Sequence, residues 1–192
     1  MPLPIAHGLI GASIVAASRE DISLRKDWHA LTAGAALAIL PDLDLFFSWV
    51  LGMGVKVHGG FTHSLLFSVL AGGLIAMLLR EIDLRHTLTY MMAASSHGLL
   101  DAAMRREFGG AELLWPLSSE KFRLGLTDYF AFYPNPMGEP IGPILERALD
   151  ISMYEMMIFM PLFIATVWLR RMQDALKLRA PRAAFRRVAA QR

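Results

Sequence analysis

Long apolar runs separated by short charged punctuation are the dominant pattern along this chain. Five apolar segments stand out: roughly 4–18 (A), 28–51 (B, interrupted at Pro41), 61–79 (C), 87–104 (D) and 151–169 (E). No stretch alternates apolar and polar residues for long enough to suggest a sheet, so the pattern predicts an all-α protein. Segments C, D and E approach the ~20 residues that a membrane-spanning helix needs, whereas A and the unbroken part of B are shorter and fit half-embedded helices. The connection over 105–150 carries Gly109-Gly110, Trp115-Pro116 and Pro134-Asn135-Pro136, which are turn and breaker signals. It reads as a long extramembrane loop with room for short helices.

Composition turns the helical reading into a membrane one. Of 192 residues, 55% are hydrophobic and only 19% charged, too apolar for a soluble domain that must clothe its core in polar surface. The expectation is a polytopic bundle of four to five apolar helices, with residues 1–170 as one membrane-embedded domain and 171–192 as a basic tail. Met1-Pro2-Leu3-Pro4 lacks the charged start of a cleavable signal peptide, and Arg19-Glu20-Asp21 follows segment A where a cleavage site would need small residues. The absence of cysteine excludes disulfides and thiolate metal sites, leaving imidazole and carboxylate as the available strong ligands.

Charge distribution predicts orientation. Arg19, Arg25 and Lys26 lie between A and B, Arg80 and Arg85 between C and D, and a basic series from Arg170 to Arg192 follows E. Short basic loops are retained on the cytoplasmic side, so these three regions predict a cytoplasmic C-terminus, with the N-terminus and the B–C and D–E loops outside. The tail then lies against anionic headgroups, making membrane lipids its expected partner. Since topology accounts for the tail, no nucleic-acid partner is expected.

Ionisable residues inside or beside the apolar runs carry the chemistry, because each costs several kcal/mol in hydrocarbon unless paired, hydrated or bound to metal. They are His7 in A, Asp42 and Asp44 where B breaks, His58 and His63 before C, and His97 with Asp101 on D. Antiparallel helices bring all seven to one depth, at the outer side. His29 and His86 fall at the opposite side. His97 and Asp101, at i and i+4, project from one helix face. Thr62 or Ser64 can cap helix C or orient an imidazole. Singly, each has an ordinary role as a cap, a packing residue or a hydrogen-bonded pair. Together they predict a site for one or two divalent ions, zinc first and manganese next, with Asp101 as a bridge between two. His7, Asp42, His63, His97 and Asp101 are the expected metal ligands. Asp44 and His58 are candidates for ligand, supporting or general-base roles.

The elements His7-Gly8-Leu9-Ile10-Gly11, Pro41-Asp42-Leu43-Asp44, His58 through Thr62-His63-Ser64, Ser96-His97 through Asp101, and Leu114-Trp115-Pro116-Leu117 occur in order over the first 120 residues. In this they resemble the YdjM-like inner-membrane proteins described as membrane-bound, metal-dependent hydrolases. His97-x-x-x-Asp101, with an upstream Asp and His, is more distantly similar to zinc-dependent phospholipase C and related nucleases. The resemblance implies a bacterial inner-membrane location and hydrolysis of a phosphoester or lipid-related substrate by metal-activated water. Where it leads one to expect a basic residue after the first histidine, this chain has Gly59. Arg105 and Arg106, just after D, are placed to steer an anionic headgroup or to anchor the helix at the interface, and Trp115 suits packing of the loop at headgroup level. Glu155 in E is a further intramembrane acid at similar depth, outside the expected ligand set. The rival reading is a non-enzymatic membrane protein: an ion- or metal-transporting bundle, or a metal-stabilised scaffold.

Overall fold

A computed structural model describes residues 3–45, 58–103, 110–126 and 141–189, the last of these with side chains described only up to Lys177. Among the described residues there are five α-helices: α1 (Pro4–Ser18), α2 (Trp28–Ile39), α3 (Leu65–Leu78), α4 (Leu84–Ala103) and α5 (Ile141–Ala189). Among the described residues there is no strand, only an isolated bridge between Ala111 and Phe122. The all-α expectation holds.

Local chemistry sets the helix ends. Pro4 opens α1, where its missing N–H is no loss. Pro41 ends α2 in a 3-10 turn, Leu40–Asp42. Segment C is split: Phe61–His63 forms a 3-10 turn, and Ser64 caps α3 by accepting from the Phe67 N–H at 3.1 Å. The apolar stretch at 61–79 thereby becomes a 14-residue helix, about 21 Å long at 1.5 Å per residue, against a hydrocarbon core of about 30 Å. Among the described residues one helix is long and apolar enough to cross a membrane, over Leu145–Lys177, while Pro4–Ser18 and Leu65–Leu78 are shorter apolar helices. The lengths therefore do not by themselves deliver four or five spans.

The last helix exceeds apolar segment E at both ends. It begins at Ile141, inside the region expected to be loop, and continues through the basic tail to Ala189. Leu145, Leu149, Met153 and Met157 are exposed along it. The spacing of these apolar residues extends the pattern ahead of residue 151.

The bundle packs α1 against α2, α4 and α5, and α3 against α4. Val15, Ala16, Leu31, Leu37, Tyr90, Ala93 and Ala94 lie in its core. Many are alanines, which let backbones approach closely where lipid supplies no hydrophobic force between helices. Gly98 makes one approach that positions the candidate site: a Cβ there would collide with the His63 carbonyl and meet Leu113 at 3.0 Å, so its absence lets α4 lie against the 3-10 turn.

The three basic regions meet at one end. Arg19 pairs with Glu81 and donates to the Tyr90 hydroxyl at 2.9 Å, and Tyr90 donates to Glu81 at 2.7 Å. Arg85 bonds Glu20, Arg170 bonds the Arg19 carbonyl and lies 3.4 Å from Asp174, and Asp174 accepts from the Asp21 N–H. Burial pushes the Glu81 carboxyl up, but its bonds from Arg19 and Tyr90 outweigh that and hold it below the usual carboxylate range.

Two predictions follow from this packing. A depressed folded-state pKa gives stability that is complete above the unfolded value, about 4.3, and is lost as pH falls through the folded one. Glu81→Gln should therefore destabilise the protein at pH 7 by about 1–3 kcal/mol, and the gap to wild type should narrow below about pH 4 in thermal unfolding followed from pH 7 to pH 3. Gly98→Ala should cost about 1–3 kcal/mol through overpacking. Gly73→Ala is its control: a Cβ there meets only the Met91 Cε at 3.7 Å, and it should be neutral or stabilising by up to about 1 kcal/mol. Equal melting temperatures for the two alanine variants would remove the steric role assigned to Gly98.

Candidate metal centre

All seven residues expected to converge do so, at the end of the bundle opposite the basic cluster. The first turn of α1 supplies His7, the break after α2 supplies Asp42 and Asp44, and residues 58–63 supply His58 and His63. The C-terminal half of α4 supplies His97 and Asp101. His7, His63, His97 and Asp101 are at most 3% exposed. Two overlapping sets have ligand atoms within 4.8 Å of one another: Asp42, His58, His63 and Asp101, and His7, Asp42 and His97. Asp42 belongs to both sets. Asp101 also reaches both, with Oδ2 at 3.5 Å from His63 Nε2 and Oδ1 at 3.8 Å from His7 Nε2.

Hydrogen bonds fix the imidazole tautomers. His97 Nδ1 lies 2.7 Å from the Ala38 carbonyl, which can only accept, so Nδ1 carries a proton and, in the neutral ring, Nε2 holds the lone pair. Thr62 gives its one hydroxyl proton to Asp44 at 2.9 Å and must accept from His63 Nδ1 at 3.0 Å. In the neutral ring His63 Nε2 holds the lone pair as well. These two nitrogens face each other at 3.1 Å. Lone pair against lone pair, that contact needs a cation or a proton between the rings. The supporting carbonyl and the Thr62–Asp44 relay orient both Nε2 atoms as metal-binding histidines are commonly oriented.

Asp44 also takes His58 Nδ1 at 2.7 Å, holding that ring edge-on to His63 with centroids 4.7 Å apart. The nitrogen this leaves for a metal is His58 Nε2. His7 stacks on His97 with centroids 4.0 Å apart and 23° between planes. Neither His7 nitrogen has a hydrogen-bond partner, nor does either Asp42 oxygen or Asp101 Oδ1, although all are buried. Among the described residues no lysine or arginine forms a salt bridge with Asp42 or Asp101. Buried polar atoms left this way are costly.

The donor set fits a metal. Nitrogen and oxygen ligands at zinc's usual 2.0–2.2 Å stand roughly 3.3–3.5 Å apart in a tetrahedron. The facing atoms are spaced comparably: 3.1 Å for the two Nε2 atoms, 3.5 Å for His97 Nε2 to Asp42 Oδ1, and 3.7 Å for His97 Nε2 to Asp101 Oδ2. These polar groups point at common volumes without bonding directly to one another, apart from the His63–His97 contact.

The segment 110–126 lies across this end. Glu112 donates its N–H to the Gly59 carbonyl at 2.8 Å, Leu65 donates to the Leu113 carbonyl at 3.0 Å, and Trp115 packs edge-on against Phe61. Lys121 Nζ donates to the His58 carbonyl at 2.8 Å. A Cβ at Gly59, whose φ is +84°, would lie 3.3 Å from that ammonium and 2.6 Å from the Gly110 carbonyl. Lys121 thus brings a positive charge to the place where sequence reading noted a missing cation. Nothing in the local pattern flagged Lys121, because the contact spans 63 residues. The Ala38 carbonyl has no side-chain signal at all.

Elsewhere, His29 lies at the start of α2, and His86 pairs with Asp83 at 2.5 Å, both away from the cluster as expected. Arg105 and Arg106 lie outside the described residues. Neither a curated protein nor a solved structure matches the chain. The family model described as YdjM inner membrane protein matches residues 1–174. The chain belongs to that family of inner-membrane proteins.

Proposed function

We propose that this membrane protein is a metal-dependent hydrolase acting on a phosphoester or lipid-related substrate. The observation that carries this reading is the facing pair of Nε2 atoms on His63 and His97, 3.1 Å apart among buried oxygens of Asp42 and Asp101 that have no hydrogen-bond partner. His7, Asp42, His63, His97 and Asp101 would hold one or two divalent ions, zinc in preference to manganese because imidazole nitrogens prevail. A divalent ion held there supplies Lewis-acid chemistry, making water a nucleophile near neutral pH and polarising a phosphoryl or carbonyl oxygen.

The chain's own groups have separable tasks. Asp44 orients His58 directly and His63 through Thr62. His58, whose Nε2 is not taken by Asp44, is the ligand or proton acceptor nearest the covering segment. Lys121 offers an ammonium beside the His58 backbone, which favours an anionic substrate group such as phosphate.

The bundle is read as crossing the inner membrane several times, α5 over its full apolar length and the shorter helices with tilt or local thinning. On this reading residues 1–170 form one embedded domain. The basic end and the tail over 171–192 face the cytoplasm and its lipids, and the site lies near the outer face. Transport is the weaker reading. Between His7 and Ser18 α1 is apolar apart from Ser13, and between Tyr90 and His97 α4 offers only Ser95 and Ser96. A conduit needs polar groups through the depth.

Purified wild type should contain zinc or manganese, and His97→Ala and Asp101→Ala should each lose most of it, as measured by elemental analysis. Unchanged metal content in both variants would remove the site. Wild type loaded with zinc should hydrolyse at least one member of a phosphoester and phospholipid panel, and His97→Ala should not. A metal-replete wild type inactive across the panel would leave the scaffold reading in place of the enzyme.

A further inference from the structure

Glu155 is a carboxylate on the longest apolar helix, and it is 0% exposed. It contacts the other end of the sequence: the Leu3 N–H donates to Oε1 at 2.5 Å and the Ala6 N–H to Oε2 at 3.0 Å. The first turn of a helix has N–H groups with no partner inside the helix. Leu3 precedes α1 and its side chain can cap nothing, while Pro4 has no N–H to satisfy. A carboxylate some 150 residues away therefore does the work of a cap. His7, the next residue after Ala6, is buried with both ring nitrogens unpartnered. Its ring is located by stacking on His97 and by the position of α1. No hydrogen bond holds it.

We propose that Glu155 is a positioning residue for His7: by clamping the start of α1 through the Leu3 and Ala6 amides, it holds His7 against His97 and Asp42 and thereby sets the affinity of the ion these three share. Among the described residues the last helix adds nothing to either ligand set, yet it governs one of them. This inference rests on the metal-site reading above. It predicts an effect concentrated on the His7 set, because the other set shares only Asp42 with it and takes His58, His63 and Asp101 from elements that Glu155 does not touch.

The test is titration of metal-free, full-length protein in detergent with cobalt or zinc, following the cobalt absorption bands and the metal bound per chain. His7→Ala defines the His7-dependent ion. Glu155→Gln should weaken that ion by about 10- to 100-fold, as loss of a group supporting a ligand does, and leave the other within about twofold. The double variant His7→Ala/Glu155→Gln should bind no more weakly than His7→Ala alone, since a residue acting through His7 has nothing left to support. Leu3→Pro removes a donor and leaves the carboxylate in place. Leu3 has φ −84°, close to what proline requires, and the variant should weaken the same ion. Wild-type affinity in Glu155→Gln and Leu3→Pro, equal weakening of both ions, or additive losses in the double variant would each overturn the proposal and leave the metal site standing. A wild type that binds no metal would overturn the site and the proposal together.

Discussion

Asp42 and Asp101 are carboxylates enclosed at the end of an apolar bundle where, among the described residues, imidazoles but no lysine or arginine pair with them, and much of the surrounding structure answers to that constraint. A buried anion without a partner costs several kcal/mol even after relaxation. Here two lie among imidazoles whose outward nitrogens are already committed, His97 to the Ala38 carbonyl and His63 to Thr62. Those commitments turn the remaining lone pairs toward the carboxylates instead of protons. A cation held there, as proposed, would meet these carboxylates and lone pairs at once. A structural core would more cheaply have placed alanine or leucine at these positions.

The bundle separates two polar regions of opposite design. At one end Arg19, Glu81 and Tyr90 satisfy one another, and Arg170 and Asp174 tie α5 to the loop after α1. At that end each charge faces its opposite, although Arg19 Nε and Arg170 Nη2 make no hydrogen bond. At the other end the groups point at shared volumes and leave atoms unbonded. Between them Val15 and Ala16 of α1 and Ala93 and Ala94 of α4 share one buried core, which keeps the helices close and the two ends distinct. Paired opposite charges hold helices together; imidazoles and carboxylates that point at shared volumes without a lysine or arginine partner are available for a ligand.

Much of this was legible in the sequence, for specific reasons. Ionisable residues in apolar segments are few, so His7, His63, His97 and Asp101 could be singled out, and antiparallel topology predicted their common depth. The i, i+4 spacing of His97 and Asp101 made their shared face readable. Other features left no local trace. Ser64 was readable as one of two caps for helix C, but hydropathy does not register the 3-10 turn at Phe61–His63 ahead of it. The start of α5 at Ile141 was hidden by Glu146, Arg147 and Asp150, whose charges lower the apolar signal without breaking a helix. The roles of Ala38 and Lys121 come from contacts across 59 and 63 residues, where sequence pattern has no reach.

Glu155 shows why depth alone underdetermines the role of a membrane acid. Its position matched the depth of the site, and on cost grounds an acid in an apolar helix needs a ligand, a charge partner or a donor. Backbone amides at a helix start are such donors, and they carry partial positive charge from the aligned peptide dipoles. The carboxylate is thus satisfied without entering the cluster, and α1 gains the cap its own residues cannot provide. One contact resolves two local deficits, one on each helix. Since α1 and α5 lie at opposite ends of the chain, it also closes the bundle on the side where His7 must be held still.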